Sequence, residues 1–360
     1  VTLSSLVSDR EIVVCCGSGG VGKTTTAAAL ALEAARRGRR ACVVTIDPAK
    51  RLADALGLEE LTNQPGRIAG DWDEAGGELW ALMLDTKSTF DDLIVRYADD
   101  PAQARRILDN RLYRNISGAL SGTQEYMAME KLYELHSEDQ FDLVVVDTPP
   151  TRNALDFLDA PRRLTRFLDN RIFRLLMTPT RAYLRAVSGA TQLLLRTISK
   201  VVGGEVVADA VAFFQAFEGM EEGFRDRAQH VLALLSDPIT AFVLVASPRR
   251  DAVDEALFFA SKLRQSGIGV EALVVNRLFP SFGSGGAAEA RSRAASLAGT
   301  PLAGPYANLA DFREVAEREE RHYGALAAQV APAPVARVPF MAADVHDLNG
   351  LVAVGEFLFA

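Results

Sequence analysis

The most specific chemistry in this sequence lies in eight consecutive residues, Gly17-Ser18-Gly19-Gly20-Val21-Gly22-Lys23-Thr24, followed by Thr25. They fit G-x-x-x-x-G-K-[ST] and sit between an apolar run and a helical one, the context that gives the pattern its meaning. Glycines at this density let successive backbone N–H groups turn inward around phosphate oxygens. The helix that follows adds the positive end of its dipole. Residues 17–25 are therefore expected to bind Mg-ATP, with Lys23 reaching the β- and γ-phosphates and the Thr24 hydroxyl ligating Mg²⁺.

Two carboxylates have spacing that suits the same reaction. Asp147 ends the apolar run 141–146 and is expected to face the magnesium shell beside the phosphate loop. Asp47, in Thr45-Ile46-Asp47-Pro48-Ala49, ends a second such run. In a doubly wound sheet ligands collect at the strand ends, so Asp47 is expected near the metal and the γ-phosphate, orienting or deprotonating the attacking water. For each carboxylate the alternative is a plain helix cap.

These side chains need a sheet to hold them. Short apolar runs at 12–16, 41–46, 79–84, 141–146, 240–246, 270–275 and 335–340 read as strands buried on both faces. Helical patterns at 23–37, 249–266, 311–329 and 346–358 separate them. The alternation predicts an α/β fold, a doubly wound and mostly parallel sheet of P-loop NTPase type. The intervals 86–140 and 148–239 far exceed the roughly 30 residues of one βαβ unit. A single domain over 1–360 is expected, with helical insertions at about 86–136 and 155–236 forming a helical subdomain. The stretch 283–299 is of low complexity and reads as a mobile loop ending in a weak helix, and 331–336 as a stiff connector. No internal repeat is visible, which implies one ATPase unit per chain.

Composition bounds the partners. The 360 residues are 49% hydrophobic and 24% charged with a formal net charge of −8, an ordinary globular balance that argues against coating nucleic acid. Cys15, Cys16 and Cys42 lie in strand-type runs without a C-x-x-C pair, so they read as core residues rather than metal ligands. No secretory leader opens the sequence, and no run reaches the roughly 18 uninterrupted apolar residues of a membrane span. The expected location is cytoplasmic, at most peripheral to a membrane.

At these motifs the sequence resembles the arsenite-pump and tail-anchored-protein-targeting ATPases, a branch of the deviant-Walker class that also holds the MinD- and ParA-type ATPases. GSGGVGKTT stands for the family's GKGGVGKTT, TIDPAKRLAD for its TDPA switch, and DTPPTRNALDFLDAP for its DTAPTGHTLR switch. VVNR (274–277) and RVPFMAADVHDLNGL resemble its adenine-contacting segments. The resemblance runs over about 11–357. It implies that Asn276, Pro339 and Phe340 frame the adenine, that Asp147 and 148–152 sense the γ-phosphate, and that the chain works as a dimer closing on ATP and opening after hydrolysis.

The departures shape the expected function. The family's first loop lysine, which reaches the partner's phosphates, is Ser18 here. Turnover is then weak, or Arg51 or Arg152 substitutes, or a paralogous subunit brings the lysine in a heterodimer. The arsenite-binding cysteines and the C-x-x-C zinc pair have no counterparts, which leaves arsenite efflux a minor alternative. Apolar side chains of the insertions, including Leu193, Leu194, Leu195, Phe213, Phe214, Phe217, Phe224, Leu232, Leu234 and Leu235, read either as subdomain core or as a groove for an apolar or membrane-protein client. The leading expectation is a dimeric ATP-driven switch. A poorly hydrolysing regulatory subunit is the main rival. A small-molecule phosphotransferase and a DNA-segregating ATPase rank below both.

Overall fold

The computed structural model describes residues 2–46, 51–116, 123–149 and 204–360, together with 160, 162, 163, 165 and 166. Two compact units divide the chain. One comprises Val1–Met83, Leu135–Leu155 and Ser236–Ala360, the other Leu84–Glu134 and Asp156–Leu235.

The first unit is built on an eight-stranded sheet. Its strands are β1 Ile12–Cys16, β2 Arg40–Thr45, β3 Gly66–Ile68, β4 Glu78–Met83, β5 Leu143–Asp147, β6 Thr240–Ala246, β7 Ala272–Leu278 and β8 Val335–Pro339, in the order β3-β4-β2-β5-β1-β6-β7-β8. All neighbours pair in parallel except β3 and β4. β1, β5 and β6 are buried throughout their lengths. Helices cover both faces of such a sheet, which is why these runs are continuously apolar instead of alternating. In register, Cys15 pairs with Asp147 and Asp147 with Thr45, so the carboxyl ends of β1, β5 and β2 lie side by side.

The strand expected over 270–275 begins later and runs on through Leu278, with a register irregularity between Val275 and Leu278. β3 was not expected. It is a three-residue antiparallel edge strand, too short to show a period.

Helix α1 is Leu3–Asp9, α2 is Lys23–Arg36 and α3 is Arg51–Leu56. The alanine-rich α2 buries ten of its residues, starting from Lys23. The second unit and its borders supply α4 Thr86–Tyr97, α5 Pro101–Leu108, α6 Arg111–Ile116, α7 Thr123–Ser137, α8 Gly204–Ala216 and α9 Glu221–Ser236. Later helices are α10 Arg250–Gln265, α11 Ala287–Ser296, α12 Ala303–Val330 and α13 Leu348–Leu358.

Two of these bear on the expected helices, one expected as weak and one with a later start. Where the low-complexity stretch predicted a mobile loop with a weak helix, α11 is a ten-residue helix beside α12, with Arg291 paired to Asp311 at 3.1 Å and Glu314 at 2.7 Å. α12 also starts eight residues before the expected 311, because Pro305 falls in its first turn, where a missing N–H costs nothing.

In the second unit Asp85 caps α4 by accepting from Ser88 N at 2.8 Å, and Asp100 caps α5 with Pro101 at its first position. Its core is aromatic: Phe224 packs against Phe90, Tyr97 and Phe217, and Phe213 stacks on Tyr113. Phe213, Phe217, Phe224, Leu234 and Leu235 are buried, and Phe214 and Leu232 half-buried. For these residues the core reading holds over the groove reading. Leu193, Leu194 and Leu195 lie outside the described residues. Among the described residues no helix is long and apolar enough to cross a membrane.

Candidate nucleotide-binding site

The loop between β1 and α2 carries the candidate phosphate site, and its shape follows from contacts that only glycine allows. Gly17 has φ 151°, and a Cβ there would lie 2.1 Å from the Val245 carbonyl oxygen of β6. At Gly22, φ 96°, a Cβ would lie 2.1 Å from Asn276 Nδ2. The loop is thus pressed against the ends of β6 and β7, leaving its other side open. Lys23, 6% exposed at the first position of α2, sends Nζ back to the Ser18 carbonyl at 2.9 Å.

Beside the loop, the three adjacent strand ends meet. Asp147, at the tip of β5 and 1% exposed, accepts from Thr24 Oγ1 at 2.7 Å and from Thr45 Oγ1 at 2.9 Å, both on Oδ2. Thr148 ties the next residue down, its hydroxyl donating to the Cys15 carbonyl at 2.9 Å. In the sequence Thr45 stands only as a neighbour of Asp47. Its role beside Asp147 depends on the β2–β5 register, which no local pattern encodes.

A cavity of about 410 Å³ opens from the loop, lined in part by Gly22, Lys23, Thr24 and Thr25 and, farther out, by Arg51, Asp54, Ala55, Arg277 and Val345. A second, of about 590 Å³, lies along Ser18, Gly19, Gly20 and Val21 and reaches Ser247, Arg249, Glu319 and Phe340. Of the three residues expected around adenine, Phe340 is 64% exposed and lines the second cavity. Asn276 donates Nδ2 to the Val21 carbonyl at 2.9 Å, and Pro339 is half-buried opposite Leu278. Asp47 and 150–152 fall outside the described residues, so the water-positioning expectation carries no geometry and only Asp147 and Thr148 of the expected switch are placed.

The oxygen donors suit magnesium. A hydroxyl and a carboxylate stand together at the strand ends, hard ligands of the kind Mg²⁺ takes while keeping several waters and substrate phosphate oxygens. Among the described residues no group of three or more His, Cys, Asp or Glu forms a metal cage. The neighbouring thiols do not compete. Burial pushes Cys15 well above the usual thiol range, the Asp147 carboxylate adds to the shift, and burial raises Cys16 likewise.

Arg277 has φ 62°, left-handed backbone that costs a non-glycine residue about 1–2 kcal/mol. Its backbone N donates to Asn276 Oδ1 at 2.9 Å and its Nη1 to the Gly20 carbonyl at 3.0 Å. In VVNR the asparagine carries the resemblance, and the arginine has no signal of its own in the sequence.

Residues 10–294 match the family model described as anion-transporting ATPase. The ATPase ARSA2 of Chlamydomonas reinhardtii is 27% identical over 305 residues, covering 81% of this chain and 75% of that protein. The ATPase GET3 of Rhodotorula glutinis is 27% identical over 263 residues, covering 73% and 68%. The ATPase GET3 of Malassezia globosa is 25% identical over 287 residues, covering 79% and 78%.

Proposed function

Because this chain belongs to the anion-transporting ATPase family, we propose that it binds Mg-ATP at residues 17–25 and hydrolyses it as a dimeric switch coupled to an apolar or membrane-protein client. The observation that carries the nucleotide chemistry is the meeting of the Thr24 and Thr45 hydroxyls on one oxygen of buried Asp147, beside a glycine loop that buries Lys23.

The roles follow from charge. The loop amides and the dipole of α2 hold the phosphates, and Lys23 turns its ammonium from the Ser18 carbonyl to the β- and γ-oxygens. Thr24 and Asp147 would hold Mg²⁺, which when bound would supply positive charge against the phosphate oxygens. Asp47 orients the attacking water. Arg51, Asp54, Ala55 and Val345 line the space beyond Thr25 and receive part of the nucleoside. Asn276, Pro339 and Phe340 remain the adenine set that the family resemblance supports.

Ser18 favours a second reading, a subunit that binds ATP but turns over slowly until a lysine-bearing paralogue joins it. Steady-state ATP hydrolysis by the purified chain separates the two, run beside Lys23→Ala with light scattering in the presence and absence of ATP. Turnover in a homodimer that disappears in the variant supports the self-sufficient switch. Tight ATP binding without turnover supports the regulatory subunit, and absence of ATP binding overturns both.

A further inference from the structure

The phosphate loop is gripped from its outer side by two consecutive residues of β7. Asn276 Nδ2 donates to the Val21 carbonyl at 2.9 Å, and Arg277 Nη1 to the Gly20 carbonyl at 3.0 Å. The backbone that presents them is distorted. The β7–β8 ladder loses register between Val275 and Leu278, and Arg277 takes φ 62°. Such irregularities re-aim side chains and persist only where surrounding contacts hold them. Here the Asn276 Oδ1 hydrogen bond to Arg277 N holds the turn.

The geometry has a consequence for the loop. A peptide carbonyl and the N–H that follows it point in opposite directions, so fixing the Gly20 and Val21 carbonyls outward fixes the next two amides, of Val21 and Gly22, inward. Arg277 is also exposed and lines both cavities that flank the loop.

We propose that Arg277 is a positioning residue of the ATP reaction: it holds the Gly20 carbonyl outward so that the loop amides face the phosphates. This rests on the reading of residues 17–25 as an ATP site.

The test is titration of a fluorescent N-methylanthraniloyl-ATP with Mg²⁺, alongside nucleotide-free thermal unfolding, for wild type, Arg277→Gln, Arg277→Lys, Arg277→Gly and Lys23→Ala. Loss of a hydrogen bond from a charged donor is expected to weaken binding about tenfold in Arg277→Gln. Arg277→Lys should regain most of that loss. Arg277→Gly should bind as weakly as the glutamine variant and melt no lower than it, since glycine takes the left-handed turn without strain. Wild-type binding in Arg277→Gln and Arg277→Gly overturns the proposal. So does a loss that lysine does not rescue and that follows a fall in melting temperature, because the arginine is then only a structural tie. If Lys23→Ala loses ATP while Arg277→Gln keeps it, the inference alone falls. If Lys23→Ala also binds like wild type, the ATP site falls with it.

Discussion

The Thr24 hydroxyl donates to Oδ2 of Asp147 across 2.7 Å, joining the first turn of α2 to the tip of β5, residues 123 positions apart. The Thr45 hydroxyl reaches the same oxygen from β2 at 2.9 Å. Two hydroxyls on one buried carboxylate oxygen make a small, hard-ligand corner at the edge of the phosphate loop, and its consequences can be measured.

Asp147→Asn keeps the shape of the corner and removes its charge. ATP binding in the variant should lose its dependence on magnesium, and turnover should fall by roughly two orders of magnitude or more. ATP titration with Mg²⁺ and with EDTA, beside steady-state hydrolysis, checks this. A magnesium response equal to wild type would remove Asp147 from the metal site.

In the helical unit Glu130, fully buried, pairs with Arg227 at 2.5 Å, and the guanidinium lies 3.8 Å over the Tyr133 ring. Arg227→Met should cost about 3 kcal/mol, because it strands a buried carboxylate, whereas Arg227→Met with Glu130→Leu should recover most of the loss. Burial already raises the Glu130 carboxyl above its usual range against the pull of Arg227. A raised folded pKa means that stability falls as pH rises past the unfolded carboxylate value of about 4.3, so the deficit of the single variant should grow from pH 4 upward. Urea unfolding across that range reads both effects.

Asp142 accepts from the Arg40 guanidinium at 2.7 Å and from its backbone N at 2.8 Å, and the side-chain hydrogen bond to Arg40 holds its carboxyl below the usual range. The stabilisation is complete above the unfolded value of about 3.9 and is lost as pH falls through the lower folded one. Both side chains are partly exposed, so Asp142→Asn should cost no more than about 1 kcal/mol at pH 7. The difference should close as melts are taken below pH 4. A gap that persists in acid would point to packing instead of charge.

Cys15, Cys16 and Cys42 are buried, and burial holds the first two thiols protonated. Iodoacetamide at pH 8 should leave all three unmodified in the folded protein and alkylate them in denaturant. Mass spectrometry of both samples is the check. Rapid native-state labelling would mean that the end of β1 opens.

Much of this architecture was legible in the residues. The apolar runs announced β1 and β6 with their observed bounds and gave five other strands to within a few positions, because strands buried on both faces must be continuously apolar. The glycine spacing marked the tight turn between β1 and α2, where Gly17 and Gly22 take positive φ in close contact with β6 and β7, because such a turn is a local backbone property. β3 escaped because three edge residues carry no period. α11 was expected only as a weak helix at the end of a loop, because its alanines and flanking glycines look unstructured until α12 supplies ion partners for Arg291.

The sequence by itself determined the loop, its lysine and the strand that ends in Asp147, since each is written in adjacent residues. Only the tertiary structure decided that Thr45 shares Asp147 with Thr24, that Asn276 and Arg277 hold the loop carbonyls, and that Arg51 and Val345 line the same cavity. Those relationships depend on strand order and register. They are set by how the whole sheet packs, and no short window of sequence contains them.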